Sequence, residues 1–307
     1  MPRRLRIQYA GALYHIINRG NYRGDLFETV GAAQSFESAL GETSRRHRWI
    51  IHGFEIMRNH FHLALETPEP NLVEGMHWLQ SAYAIRFNRY RSERGHVFQG
   101  RYQSLLIEDD TALVRVIDYL HLNPVRAGIV TAAQVAHFRW SSLPRLVKGP
   151  RPAWLSASRL LAELDLDDSS TGWAGYVGHL QYLAANPKEQ ERLGFDRLCR
   201  GWAIGTDGWR RALAREYAHL ALTPDLSRAE ICDLREARWS SIFSDLLQRW
   251  RKTDADIFQD ARGVRWKIEI AQRLRLEASA PYQWIALNLK TISPAALRVA
   301  ICRLANK

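Results

Sequence analysis

Apolar and polar positions change their spacing several times within the first 143 residues. LYHIINRG (13–20), WIIHGFEIM (49–57) and HFHLALE (60–66) are short apolar or alternating runs of strand length, punctuated by Gly20 and by the Arg58-Asn59 pair. Between them, AAQSFESALGETSRRH predicts a helix through Phe36 and Leu40. NLVEGMHWLQSAYAIRFNRYR predicts a longer one, capped by Asn71, with Leu72, Met76, Leu79, Tyr83 and Phe87 at helical spacing. A basic, glycine-punctuated loop, GHVFQGRYQ, leads into a short strand, SLLIE. DDTALVRVIDYLHLNP then reads as a helix with acids at its start and a stop at Pro124. The order βαββαβα predicts an α+β fold, a ferredoxin-like antiparallel sheet with helices.

Periodicity is lost over PRLVKGPRP, which predicts a linker at 144–152 between a sheet-bearing domain (1–143) and an all-α C-terminal domain (153–307). Near its end, 282–304 has the outline of a helix-turn-helix, with Trp284, Ile285 and Leu289 inside one helix and Leu297, Ala300 and Ile301 inside the next. Arg298 and Arg303 beside them would suit a DNA groove, and a plain helical hairpin fits the same pattern.

Composition adds a charge bias. Lys+Arg 43 against Asp+Glu 32 leaves a net charge of +11, which favours a polyanionic partner, nucleic acid first. Cys199, Cys232 and Cys302 form no CxxC pair, as expected of a reduced, cytoplasmic protein, and no apolar run is long enough for a membrane span.

Candidate chemistry begins at NHFH. Alternation on a strand puts His60 and His62 on one face and Phe61 on the other, with the histidine Cα atoms about 6 to 7 Å apart, close enough to share a divalent ion. Tyr119 and Asn123 lie four residues apart on the predicted last helix and share its face, where an amide oxygen can complete a metal site beside a phenol that faces substrate. Core packing of Tyr119 and capping by Asn123 account for the same spacing.

Taken together, GALYHIINRGN, MRNHFHLALETP, FNRYRSERGHVFQGRYQS, YLHLNPVRAGIV and RWSS resemble the REP-associated tyrosine transposases of the HUH single-tyrosine superfamily, over essentially all of residues 1–143. The resemblance implies a catalytic palm in which His60 and His62 are metal ligands, Asn123 is the third ligand and Tyr119 is the nucleophile. It also implies cleavage and rejoining of single-stranded DNA beside a hairpin through a 5′-phosphotyrosine bond, without ATP. Two imidazoles and an amide oxygen suit Mg²⁺ or Mn²⁺. Arg58 departs from the family pattern, which has proline before the Asn-His pair. A DNA track is expected along Arg86, Arg89, Arg91 and Arg94, with His96, Phe98, Arg101 and Tyr102 in the following loop, Arg3, Arg4 and Arg6 on the N-terminal arm, and Arg19 and Arg126 as further contacts. The alternatives are a domesticated DNA-binding protein without transposition activity and a nuclease that forms no covalent intermediate. The partner is single-stranded or hairpin DNA, bound by a monomer or a homodimer.

Overall fold

The computed structural model describes residues 6–149, 151–217, 228–278 and 280–305. It forms two compact units, one spanning Arg6–Thr206 and the other running from Asp207 onward.

The first unit is built on a sheet of order β2-β3-β1-β4-β5, from β1 (Ala12–Arg19), β2 (Ile50–Ile56), β3 (His60–Thr67), β4 (Gln103–Ile107) and β5 (Ala203–Ile204). The first four strands are mutually antiparallel, in the ferredoxin-like order expected from the sequence, and β5 adds a parallel edge beside β4. That fifth strand is two residues long and carries no alternation that could announce it.

Both faces of the sheet are covered. Phe61 is fully buried beneath α1 (Val30–His47) and α2 (Leu72–Arg91), with ring centroids 4.5 Å from Phe36 and 6.1 Å from Phe98. Burying such a ring is worth about 1.5–3 kcal/mol, so Phe61 fixes which face of β3 turns inward. The opposite, histidine-bearing face receives α3 (Asp110–Arg126). Asp109 caps α3 by accepting from the Ala112 N–H at 2.8 Å. The helix runs through Pro124 instead of stopping there. Proline removes a single backbone donor, and the chain turns only at Gly128, with φ +70°, where the Ile129 N–H donates to the Pro124 carbonyl. Asn71 stands at the N-cap position of α2 but makes no cap bond, since its amide accepts from Trp49 Nε1 (2.8 Å) and donates to the His47 carbonyl (3.0 Å).

The stretch 144–152 does not divide the chain. After α4 (Leu143–Lys148), residues 154–156 run along the edge of β2: the Ile51 N–H donates to the Trp154 carbonyl and the Ser156 N–H to the Ile51 carbonyl. Then come α5 (Ser158–Glu163), α6 (Ser170–Ala185) and α7 (Pro187–Arg192). A buried polar chain ties α6 to α3. Tyr176 donates to Asp118 (2.9 Å), His121 Nδ1–H donates to Tyr176 Oη (2.9 Å), Ser142 donates to His121 Nε2 (2.8 Å), and the Phe54 N–H donates to Ser142 Oγ (3.0 Å). The RWSS motif therefore locks α3 onto β2, with Ser141 also bridged to Glu55. Proline and charge give this stretch the look of a linker, whereas its backbone hydrogen bonds belong to the sheet edge.

The second unit is helical among its described residues: α8 (Asp207–Glu216), α9 (Arg228–Arg249), α10 (Asp254–Gln259), α11 (Arg265–Ala278), α12 (Tyr282–Asn288) and α13 (Pro294–Ala305). Ile285, Leu289, Leu297 and Ile301 enter a core with Leu246, Ile270 and Leu274, while Arg298 and Arg303 are exposed. Helices α12 and α13 are joined by a five-residue turn.

Gly75 on α2 lies where a β-carbon would come within 2.1 Å of the Trp49 ring, which its hydrogen bond to Asn71 holds in place. Gly75→Ala is expected to lower the unfolding free energy by about 1–3 kcal/mol through overpacking, measured by urea denaturation. An unchanged midpoint would show that the ring moves freely.

Candidate active site

On the histidine face, strand pairing sets Glu55 directly opposite His62, and Ile17 on its other side. A bulge at His52 in β2, between Ile51 and Gly53, makes this possible. It shifts the pairing so that Phe54 and Ile56 keep to the phenylalanine side and Glu55 comes up beside the histidines. From above, α3 brings Tyr119, whose ring centroid lies 5.8 Å from that of His62, and Asn123, which donates from Nδ2 to Glu55 Oε2 at 2.8 Å. The His60 and His62 rings are 5.2 Å apart and nearly perpendicular. The four residues singled out in the sequence, His60, His62, Tyr119 and Asn123, therefore converge.

Hydrogen bonding determines which nitrogen of each imidazole carries its proton. The Leu198 carbonyl can only accept, so His15 donates to it from Nδ1 (2.8 Å), and His15 Nε2 is left as an acceptor. His62 Nδ1–H donates to that nitrogen at 3.0 Å, which leaves the lone pair of His62 on Nε2. Asn59 does the same for His60. Its Nδ2 is committed to the Arg23 carbonyl (3.3 Å), so its Oδ1 faces His60 Nδ1 (2.8 Å) and accepts from it. Burial keeps these rings neutral: it lowers His15 to about 4 and, helped by the Arg19 charge, His60 to about 4, and it holds His62 well below the ordinary imidazole value. Asn123, with its nitrogen pinned on Glu55, has its oxygen free. Two neutral Nε2 atoms and an amide oxygen form a donor set that fits a hard or borderline divalent cation such as Mg²⁺ or Mn²⁺.

Glu55, fully buried, is pushed up to about 8 by desolvation against the opposing hydrogen bond from Asn123, and its Oε1 has no hydrogen-bond partner. The Tyr119 hydroxyl, 9% exposed as a residue, accepts from the Cys199 thiol at 3.1 Å; burial, then Cys199, push the phenol above its ordinary range, while Arg126 over the ring pulls it down. Phe195 packs edge-on against the same ring at 5.8 Å. His15, Asn59, Glu55 and Cys199 are site residues that the sequence pattern leaves unassigned. Alternation within LYHIINRG puts His15 on one face of β1, but only the β1–β3 register brings it to His62, and nothing local marks Cys199.

The expected DNA track is divided. Arg19, Arg89, Arg94, His96, Arg101 and Arg126 are exposed. Arg86 pairs with Glu42 (2.6 Å), and Arg91 with Glu28 (3.6 Å) and Glu93 (3.9 Å). Arg6 is engaged by Ser104 and the Tyr102 carbonyl and stacks on the Tyr102 ring at 3.8 Å. Tyr102 and Phe98, expected from the sequence to be stacking platforms, are buried, Phe98 in the cluster with Phe61 and Tyr83. Apolar rings in a basic loop serve the core here. Arg3 and Arg4 lie outside the described residues.

The family model for IS200-like transposases matches residues 8–123. Residues 8–123 are thus similar to the IS200-like transposases. A relative from Haemophilus influenzae, described as "Putative REP-associated tyrosine transposase", is 27% identical over 124 residues, 37% of this chain and 69% of that protein. Among solved structures, a REP-associated tyrosine transposase bound to a REP hairpin is 21% identical, with TM-score 0.40, covering 51% of this chain and 90% of that one. A Deinococcus radiodurans R1 protein, described as "putative transposase", is 20% identical with TM-score 0.29, covering 36% and 89%. The matched segment contains every residue of the converging set, whereas Phe195, Leu198 and Cys199 reach it from beyond that segment. No helix among the described residues is long and apolar enough to cross a membrane.

Depressed imidazoles make stability depend on pH. Between about 4 and 6.5 the unfolded chain binds protons that buried His15 and His121, the latter lowered to about 3 by burial, refuse in the fold. Their contribution is therefore complete above 6.5 and is lost as pH falls, at about 1.4 kcal/mol per pH unit for each fully buried ring. Glu55 acts oppositely, its contribution being lost as pH rises from 4.5 through about 8, but it is one group against at least two. Urea denaturation from pH 6.5 to 5 should show falling stability. A flat profile would contradict neutral, buried imidazoles.

Proposed function

We propose that this chain cleaves and rejoins single-stranded DNA beside a hairpin, with Tyr119 as nucleophile and His60, His62 and Asn123 as ligands of Mg²⁺ or Mn²⁺. The observation that carries this reading is the convergence of Tyr119 and Asn123, one turn apart on α3, upon two histidines that both present Nε2. The cation, when bound, would polarise the scissile phosphate and ease charge onto the leaving oxygen.

The chain's own residues do the rest. Tyr119 Oη forms a bond to phosphorus as the bond to the 3′-oxygen breaks; the phenol gives up its proton and the leaving oxygen gains one as a 3′-hydroxyl. The bond energy is kept in the phosphotyrosine, so a 3′-hydroxyl can reverse the step without ATP. Arg126, exposed and 5.0 Å above the Tyr119 ring, sets positive charge where an incoming phosphate approaches. Asn59, His15 and Glu55 hold the proposed ligands in orientation, a role that outer partners of metal sites commonly fill. Phe195 and Cys199 stand on Tyr119, so substrate must displace them to reach the phenol. Exposed Arg19, Arg89, Arg94 and Arg101 offer phosphate contacts, and Arg86 and Arg91, in weak surface pairs, can exchange carboxylate for phosphate.

The burial of Tyr119 favours a second reading, a DNA-binding protein without transposition activity. One experiment separates the two. Incubating the chain with labelled hairpin DNA and Mn²⁺ should yield a covalent adduct that Tyr119→Phe abolishes and chelation prevents. Cleavage that persists in the Phe variant excludes the tyrosine mechanism, and binding with no adduct supports the second reading. For the DNA track, Arg89→Ala should reduce the salt dependence of hairpin binding by about 0.7–0.9 in the log-log slope, one phosphate contact. An unaltered slope removes Arg89 from the interface.

A further inference from the structure

His15, His62 and Cys199 present ligand atoms that all lie within 4.8 Å of one another. Two of the three belong to the segment similar to IS200-like transposases and the third lies beyond it, so this is a different set from the one assigned to Mg²⁺ or Mn²⁺. Its chemistry is also different. A thiolate with two imidazoles is a soft-to-borderline set, which selects Zn²⁺ over the hard cations. The Tyr119 hydroxyl, 3.1 Å from Cys199 Sγ, lies at the edge of the cluster in reach of a fourth position. His15 already donates its Nδ1–H to the Leu198 carbonyl, the outer contact that orients a zinc-ligating histidine and leaves Nε2 to the metal. His15 Nε2 and His62 Nδ1 are 3.0 Å apart. Two nitrogens on one tetrahedral Zn²⁺ stand about 3.3 Å apart, so a small spreading of the rings admits the ion.

We propose that His15, His62, Cys199 and Tyr119 form an inhibitory Zn²⁺ site. The proton balance gives the site its consequence. Binding expels the Cys199 thiol proton and, as the Tyr119 oxygen ligates, its phenol proton, both to solvent, and the His62 proton moves from Nδ1 to Nε2 as Nδ1 takes the metal. A neutral imidazole has one lone pair on nitrogen, so His62 then has none left at Nε2 for the ion shared with His60 and Asn123. Zinc would thus withdraw a ligand from the catalytic set and hold the Tyr119 oxygen at the same time. This inhibitory consequence rests on the function proposed above, whereas the binding itself does not.

The test uses the full chain with Co²⁺ as a spectroscopic stand-in and Zn²⁺ as competitor. Wild type should show visible bands of tetrahedral strength and a near-ultraviolet thiolate charge-transfer band, both removed by Zn²⁺. Cys199→Ser should abolish the charge-transfer band and weaken Zn²⁺ binding by more than the about 10- to 100-fold that loss of an outer partner costs, with the fold checked by circular dichroism. His60→Ala should leave both intact. A charge-transfer band that survives Cys199→Ser, a weak octahedral spectrum, or loss of the site in His60→Ala each overturns the proposal. In a separate arm, Zn²⁺ should suppress the Mn²⁺-supported adduct in wild type and less so in Cys199→Ser; equal suppression in both overturns the inhibitory role. Absence of any adduct before zinc is added counts against the transposase chemistry proposed above, while the cobalt spectra still decide whether the zinc site exists.

Discussion

A main-chain carbonyl oxygen has no proton to give, and the arrangement of the centre depends on that restriction at Leu198. It obliges His15 to donate from Nδ1, which obliges His62 to do the same, which sends the free lone pair of His62 away from the sheet partner and toward the rest of the cluster. A side-chain amide, itself fixed by the Arg23 carbonyl, imposes the same orientation on His60. Glu55 fixes the amide of Asn123 from below. Each member of the converging set is thus oriented by a neighbour outside it, and one neighbour belongs to a segment about 140 residues downstream of the histidine motif. Low local dielectric makes such a chain unforgiving, because a reversed donor leaves a buried polar atom without a partner.

How much of this can be seen in the sequence follows from the range of each signal. Period-two alternation and helical spacing are local, so β1 to β4, α1 to α3 and the inward turn of Phe61 are legible, as are the four residues that meet at the centre. Register is not local. That His15 touches His62 and that Glu55 faces it depend on which residues of separate strands pair, information that no single run contains. The same holds for residues 144–206: Pro144 and Pro152 suggest a connection, while the hydrogen bonds that commit Trp154 and Ser156 to the edge of β2 are invisible along the chain. Basic surroundings point Phe98, Tyr102 and Arg6 toward DNA. The burial of Phe98 against Phe61 and Tyr83, and of Tyr102 under the Arg6 guanidinium, shows that a loop with enough apolar area supplies the core first.

The charge distribution has a comparable division of labour. The net charge of +11 invites a polyanion, yet two arginines of α2, Arg86 and Arg91, already have carboxylate neighbours in Glu28, Glu42 and Glu93. Such exposed pairs are nearly neutral in energy. They keep long side chains near the surface in a set direction, at little cost when a phosphate replaces the carboxylate.

The extra residue at His52 has a meaning for how this sequence can vary. Because the bulge absorbs one residue between Ile51 and Gly53, β2 carries two incompatible phases, one upstream and one downstream. Deleting His52 would restore unbroken alternation and leave Phe54 opposite Leu63 and Glu55 opposite His62, whereas one residue inserted between Gly53 and Glu55 would exchange the roles of Phe54 and Glu55, setting an aromatic ring among the imidazoles and a carboxylate in the hydrocarbon core. The bulge therefore gives the strand slack in one direction only: drift here can lose its extra residue, but cannot gain one downstream of it without turning the centre over.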